Sequence, residues 1–134
     1  MKDNVRRKPK IYPASKARFH PTWAALKAAG VPISATWPWW DRNISASEPT
    51  NADWRQHSER CLKEAAQADI LILYVEPGDR NFGSLLETGA ALGANKTVYL
   101  VAPEPWPFLR NHPNVRQFPT LEAAVATITA ASSL

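Results

Sequence analysis

Residues 69–76 read DILILYVE, and the fold turns on this stretch. Its apolar centre is unbroken, as in a strand buried on both faces of a parallel sheet, whereas a half-exposed strand would alternate. Pro77, Gly78 and Asp79 follow as a turn, and residues 84–94 read as a helix. Residues 97–102 (TVYLVA) form the next buried strand. Working back, residues 10–14 (KIYPA) open the regular structure as a strand whose ladder Pro13 should end early. A helix over residues 21–29 comes next, with Pro21 in its first turn and Gly30 as its stop. Residues 31–37 (VPISATW) are a second β-rich run, and residues 38–50 break regular structure with Pro38, Pro49 and several serines. Thr50 or Asn51 caps a longer helix reaching about Ala68, on which Trp54, Cys61, Ala65 and Ala68 share one face. Working forward, the loop 103–113 (PEPWPFLRNHP) leads to a brief fifth strand over 115–118. Thr120 then caps a last helix with Leu121, Val125 and Ile128 as its apolar stripe.

This β–α alternation, met five times without an internal repeat or linker, predicts an α/β protein. The expected architecture is a flavodoxin- or Rossmann-like three-layer sandwich around a five-stranded, mostly parallel sheet of order 2-1-3-4-5. Ligands in such sheets bind beyond the carboxyl ends of the strands, where the order reverses. That rule selects the loops 13–20, 76–84 and 103–113, with 38–50 bordering the same crevice.

Composition narrows the function classes. The 134 residues suit one domain, placed at residues 10–134, and 45% hydrophobic with 21% charged residues is ordinary for a globular chain. No apolar run approaches the roughly 20 residues that cross a bilayer, so no membrane partner is expected. The single cysteine, Cys61, excludes an internal disulfide framework and suits the cytoplasm. Of the 16 Lys and Arg residues, seven lie in the first 20 positions beside one acid, Asp3, while the rest of the chain is slightly acidic. Residues 1–9 therefore read as a basic flexible arm. A solvated tail explains such a run, and no basic helix or groove face supports a duplex-DNA partner.

Three features of the crevice carry chemistry. The first loop holds Ser15, Lys16 and Arg18 just before a helix, a combination suited to an anion such as phosphate or carboxylate. It lacks the glycine spacing of dinucleotide and P-loop motifs, and a solvated basic loop explains it too. The loop after residues 69–76 delivers Asn81, Gly83, Ser84 and then Glu87 at the start of an otherwise apolar helix. The positive helix end favours an ionised carboxylate, which can attack an anomeric carbon; Ser84 and Glu87 also have the spacing of a capping box, so both readings stand. Aromatic residues are the third feature. Trp37, Trp39 and Trp40 cluster beside Asp41 and Arg42, and Trp106 and Phe108 lie in the loop 103–113. Bases stack on such rings, and packing or an oligomer interface uses them equally well. His20, His57 and His112 have no metal-ligand spacing with one another or with Cys61, and no cofactor is expected.

Over residues 10–118 the strings IYPASKARFHPTWAALKAAGVPI, AAQADILILYVEPGD and FGSLLETGAALGANKTVYLV resemble the nucleoside 2-deoxyribosyltransferase superfamily, which includes the 2′-deoxynucleoside 5′-monophosphate N-glycosidases. The most specific element is Gly-x-x-x-Glu-x-Gly, here Gly83 to Gly89. The resemblance implies that Glu87 is the nucleophile taking the deoxyribosyl group and that Tyr12 positions it. It also implies that Ser15 and Arg18 bind phosphate, with Lys16 as an addition. Asn81 stands where the transferases place an acid on the sugar, and Cys61 stands where the family has an aspartate serving proton transfer to the base. A cysteine does not replace that acid near neutral pH; Asp41 and Asp53 are the acids near the variable loop. The expected activity is cleavage or exchange of the N-glycosidic bond of a deoxynucleoside or its 5′-monophosphate. The alternative is a non-catalytic nucleotide-binding module on the same fold. Relatives that assemble as dimers or larger oligomers imply a homo-oligomer here, with residues 106–112 as the segment offered to a neighbour's site.

Overall fold

Alternation along each strand sets the two layers of the core. The computed structural model describes residues 8–39, 49–104 and 106–132; the basic arm up to residue 7, and Trp40, Asp41 and Arg42, lie outside them. Strands β1 (Ile11–Ala14), β2 (Ile70–Tyr74), β3 (Thr97–Val101) and β4 (Val115–Gln117) pair in parallel in the order β1-β2-β3-β4. Tyr12, Ala14, Leu71, Leu73, Val98 and Leu100 point to one face. There they bury Cys61, Ala65 and Ala91 from helices α2 (Asn51–Gln67) and α3 (Phe82–Gly93). Ile11, Ile72 and Val101 point to the other, against Trp23 of α1 (His20–Ala28) and Leu121, Ala124 and Ile128 of α5 (Leu121–Ser132). Helices thus cover both faces, which is why residues 70–75 carry no alternation.

The sheet has four strands, not the five of order 2-1-3-4-5 expected from the sequence. The run over residues 31–37 contributes one bridge, Ile33 to Ile11, on the free edge of β1. Its backbone hydrogen bonds to β1 are Ile11 N to the Pro32 carbonyl and Ser34 N to the Ile11 carbonyl. Beyond them the chain is drawn off the sheet, because Thr36 donates its backbone N–H and its hydroxyl to the Glu64 carboxylate of α2. Pro13 does not end β1, which runs on to Ala14. The carbonyls of Ile11 and Pro13 face the 31–37 side, the latter accepting from Trp37 Nε1 at 2.7 Å, so the missing N–H of Pro13 falls where no ladder continues.

Helix ends follow local chemistry. Gly30, at φ +101°, closes α1: its N–H bonds to the Lys27 carbonyl, and Val31 N bonds to Leu26. Thr50 caps α2 in a reciprocal box, its hydroxyl accepting from Asp53 N and its own N–H donating to the Asp53 carboxylate at 2.9 Å. Thr50→Ala should cost about 1 kcal/mol of folding stability, read as a lowered denaturant midpoint with unchanged slope. The loop 103–113 contains a single helical turn, α4 (Pro107–Arg110), entered through Trp106 in the left-handed region at φ +39°.

Candidate active site

Helix α3 begins two residues earlier than its sequence pattern suggests. Asn81 is its N-cap and Phe82 its first residue, so Ser84 lies inside the first turn and Glu87 in the second. A capping box between Ser84 and Glu87 is therefore not formed. The Ser84 carbonyl accepts from the Thr88 hydroxyl, and the Glu87 carboxylate turns toward the sheet. There Tyr12, fully buried at the middle of β1, donates its phenolic O–H to Glu87 Oε2 at 2.7 Å. The Cys61 thiol of α2 is a third member of the group, interacting with both Tyr12 and Glu87.

Burial decides the electrostatics of this trio. Desolvation pushes the Glu87 carboxyl up from its ordinary 4.5 to about 7, assisted by the negative charge of Glu64 and opposed by the hydrogen bonds from Tyr12 and Cys61. The sequence suggests an ionised carboxylate favoured by the helix end; displacement into the second turn weakens that effect, and burial wins. Tyr12 is driven far above its usual range by burial and by the adjacent Glu87, so it stays a donor. The Cys61 thiol is pushed up to about 11, chiefly by burial, and is a neutral group at physiological pH.

Glu87 opens onto a cavity of about 780 Å³, a size that suits a small organic ligand. Ser15, Lys16 and Trp37 line it from the β1 side, and Asn81, Gly83 and Ser84 from the start of α3. Asn81 is only 6% exposed, and neither end of its amide has a hydrogen-bond partner among the described residues. A buried, unsatisfied amide on a cavity wall points to a polar ligand. The Ser15 hydroxyl is already engaged, accepting from Trp23 Nε1 at 2.9 Å and donating to the Lys16 carbonyl.

Other residues are placed differently from expectation. Arg18 is outside the cavity lining, where Asp79 holds its guanidinium at 2.6 Å and Glu76 lies at 3.7 Å. Asp41 lies outside the described residues. None of the described residues of the loop 103–113 lines the cavity, because the crevice lies between the ends of β1 and β2, away from β3. The remaining wall is instead one face of α2, through Trp54, His57 and Cys61. The loops 13–20 and 76–84 selected from the sequence bring His20, Arg80 and Phe82 to the lining without their having been singled out, whereas Trp54 and His57 were missed altogether. A signal existed: Trp54, His57 and Cys61 follow one another at helical spacings of three and four, a single face with too much polar chemistry for a core stripe. Among the described residues, no group of three or more His, Cys, Asp or Glu side chains could hold a metal ion, and no helix is long and apolar enough to cross a membrane.

No protein-family model matches the chain, and neither does any curated protein. Among solved structures it is similar to "Structure of Clostridium botulinum CMP N-glycosidase, BcmB", at 15% sequence identity and a TM-score of 0.54. That match covers 91% of this chain and 98% of the other. At this identity the likeness is one of architecture, extending over nearly the whole of both chains. The chain thus shares its fold with that CMP N-glycosidase.

Proposed function

We propose that the chain cleaves or exchanges the N-glycosidic bond of a deoxynucleoside or its 5′-monophosphate, with Glu87 as nucleophile. The supporting observation is the Glu87 carboxylate, held by Tyr12 at 2.7 Å on the wall of a nucleotide-sized cavity. Glu87 Oε attacks C1′ as the C1′–N bond breaks and the electron pair leaves with the base. Water, or an incoming base, then releases the sugar from the carboxylate. The Tyr12 hydroxyl steadies the carboxylate and lowers its basicity. Asn81 offers its unsatisfied amide to a sugar hydroxyl, while Lys16 and Arg80 supply positive charge for a 5′-phosphate. The match to a CMP N-glycosidase structure favours a phosphorylated substrate. No cofactor takes part in these steps.

Chromatography of a panel of deoxynucleosides and their 5′-monophosphates, with and without an acceptor base, tests the proposal. Free base signals hydrolysis, an exchanged nucleoside signals transfer, and absence of both refutes the activity. Tyr12→Phe should lower kcat by about 10- to 100-fold, the worth of a hydrogen bond to a charged group, and move the acid limb of the pH–rate profile upward. Binding without turnover is the second reading. It draws on Cys61, whose weakly acidic thiol stands where the resemblance expects a carboxylic acid. Calorimetry showing nucleotide bound and no product would favour it.

Phe82, Leu85 and Leu86 on α3 are exposed, the first by 75%, and Phe108 by 95%. These apolar groups favour association with a second copy. Sedimentation across a dilution series should show a species larger than a monomer; monomer alone at every concentration removes that expectation.

A further inference from the structure

Breaking the C1′–N bond leaves an electron pair on a ring nitrogen of the base, and a heterocycle departs poorly as an anion. A positioned acid that delivers a proton to it is worth about 10²–10⁴ in rate. Among the described residues the cavity wall offers no second carboxylic acid for this task. Among the described residues that line it, the one carboxyl group is Glu87, which is committed to C1′. Lysine and arginine side chains hold their protons too tightly to be good acids near neutrality. The buried Cys61 thiol is weaker still as a donor than a free thiol.

Resting on the activity proposed above, the geometry points to His57 as the general acid that protonates the departing base. His57 lines the cavity from α2, one turn before Cys61, and its Nε2 lies 3.6 Å from the Cys61 Sγ. His57, Cys61 and Glu87 all line this one cavity, so the imidazole and the nucleophile face the same bound ligand. The indole of Trp54 meets the His57 ring edge-on at 6.2 Å and lines the same wall, and Trp37 also lines the cavity. A base stacked among these rings sits beside the imidazole while its sugar faces Glu87. In the first step the His57 imidazolium gives its N–H proton to the base as the C1′–N bond breaks and the C1′–Oε bond forms. In the second, neutral His57 takes a proton from the attacking water, the C1′–Oε bond breaks, and both groups return to their starting charge. Among the described residues the other titratable groups lining this space are Cys61 on α2, Glu87 on α3, His20 at the start of α1, and Lys16 and Arg80 in the flanking loops, with Tyr12 behind Glu87.

The test compares leaving groups within one variant. His57→Gln is assayed on a substrate that the wild type turns over, and on its counterpart with a base that departs readily without protonation, a 7-methylpurine or a 5-fluoropyrimidine. The proposal expects kcat to fall by about 100-fold or more on the ordinary base and by under about tenfold on the activated one. The basic limb of the wild-type pH–rate profile should vanish in the variant. Misfolding would reduce both rates alike, so the ratio reads proton delivery alone. Equal losses on the two substrates, no loss, or the same signature in His20→Gln and not in His57→Gln would overturn the role of His57. Failure of the wild type on both substrates would instead remove the underlying activity.

Discussion

Glu87→Gln is expected to reduce turnover by about a thousandfold or more while leaving nucleotide binding within a fewfold of the wild type. The amide is nearly isosteric with the carboxylate and keeps an oxygen to accept the Tyr12 hydroxyl, so the wall of the cavity is preserved. What it lacks is a charge able to bond to C1′. A merely structural glutamate at this position would give the opposite pattern, with turnover kept. Steady-state rates by chromatography and affinities by calorimetry separate the two. The same variant tests the pH dependence of the reaction. Because burial lifts the carboxyl to about 7, wild-type kcat/KM should rise with pH through that value as the nucleophile ionises.

Stability should move the other way. Between the ordinary value of 4.5 and about 7, the folded chain retains a proton at Glu87 that the unfolded chain releases. Rising pH across that interval therefore favours unfolding, and above it the ionised, buried carboxylate destabilises the fold by up to about 3 kcal/mol. Glu87→Gln removes the effect. The variant should match the wild type near pH 4 and exceed it at pH 8, in denaturant midpoints measured at both. Equal stabilities at pH 8 would show that Glu87 is well solvated in the folded chain. Stability lost to hold a charge in a partly shielded site is the usual companion of catalytic function.

Much of this arrangement is legible in the amino-acid order. The unbroken apolar run at residues 70–75 announces a strand covered on both sides, and helices α2 and α1 supply those covers as expected. Three particulars escape for physical reasons. The run at residues 31–37 has strand composition, yet Glu64, distant in sequence, takes the hydrogen bonds of Thr36 and peels the chain away. Glu87 and Ser84 have capping spacing, yet the helix starts at Phe82, and a two-residue shift turns a surface cap into a buried carboxylate. Arg18 stands in the loop as a free cation would, but Asp79, on the neighbouring loop, engages it. In each case a partner far along the chain outcompetes a local preference. The wall formed by Trp54 and His57 escapes for a related reason: helical periodicity identifies a face without saying whether it meets a core or a cavity.

The most direct measurement is mass spectrometry of the protein quenched during reaction with a 2′-fluorinated nucleoside monophosphate, which slows release of the sugar. The account predicts a glycosyl adduct on the peptide carrying Glu87, present in the wild type and absent in Glu87→Gln. Turnover accompanied by no adduct on Glu87, and undiminished in that variant, would contradict it.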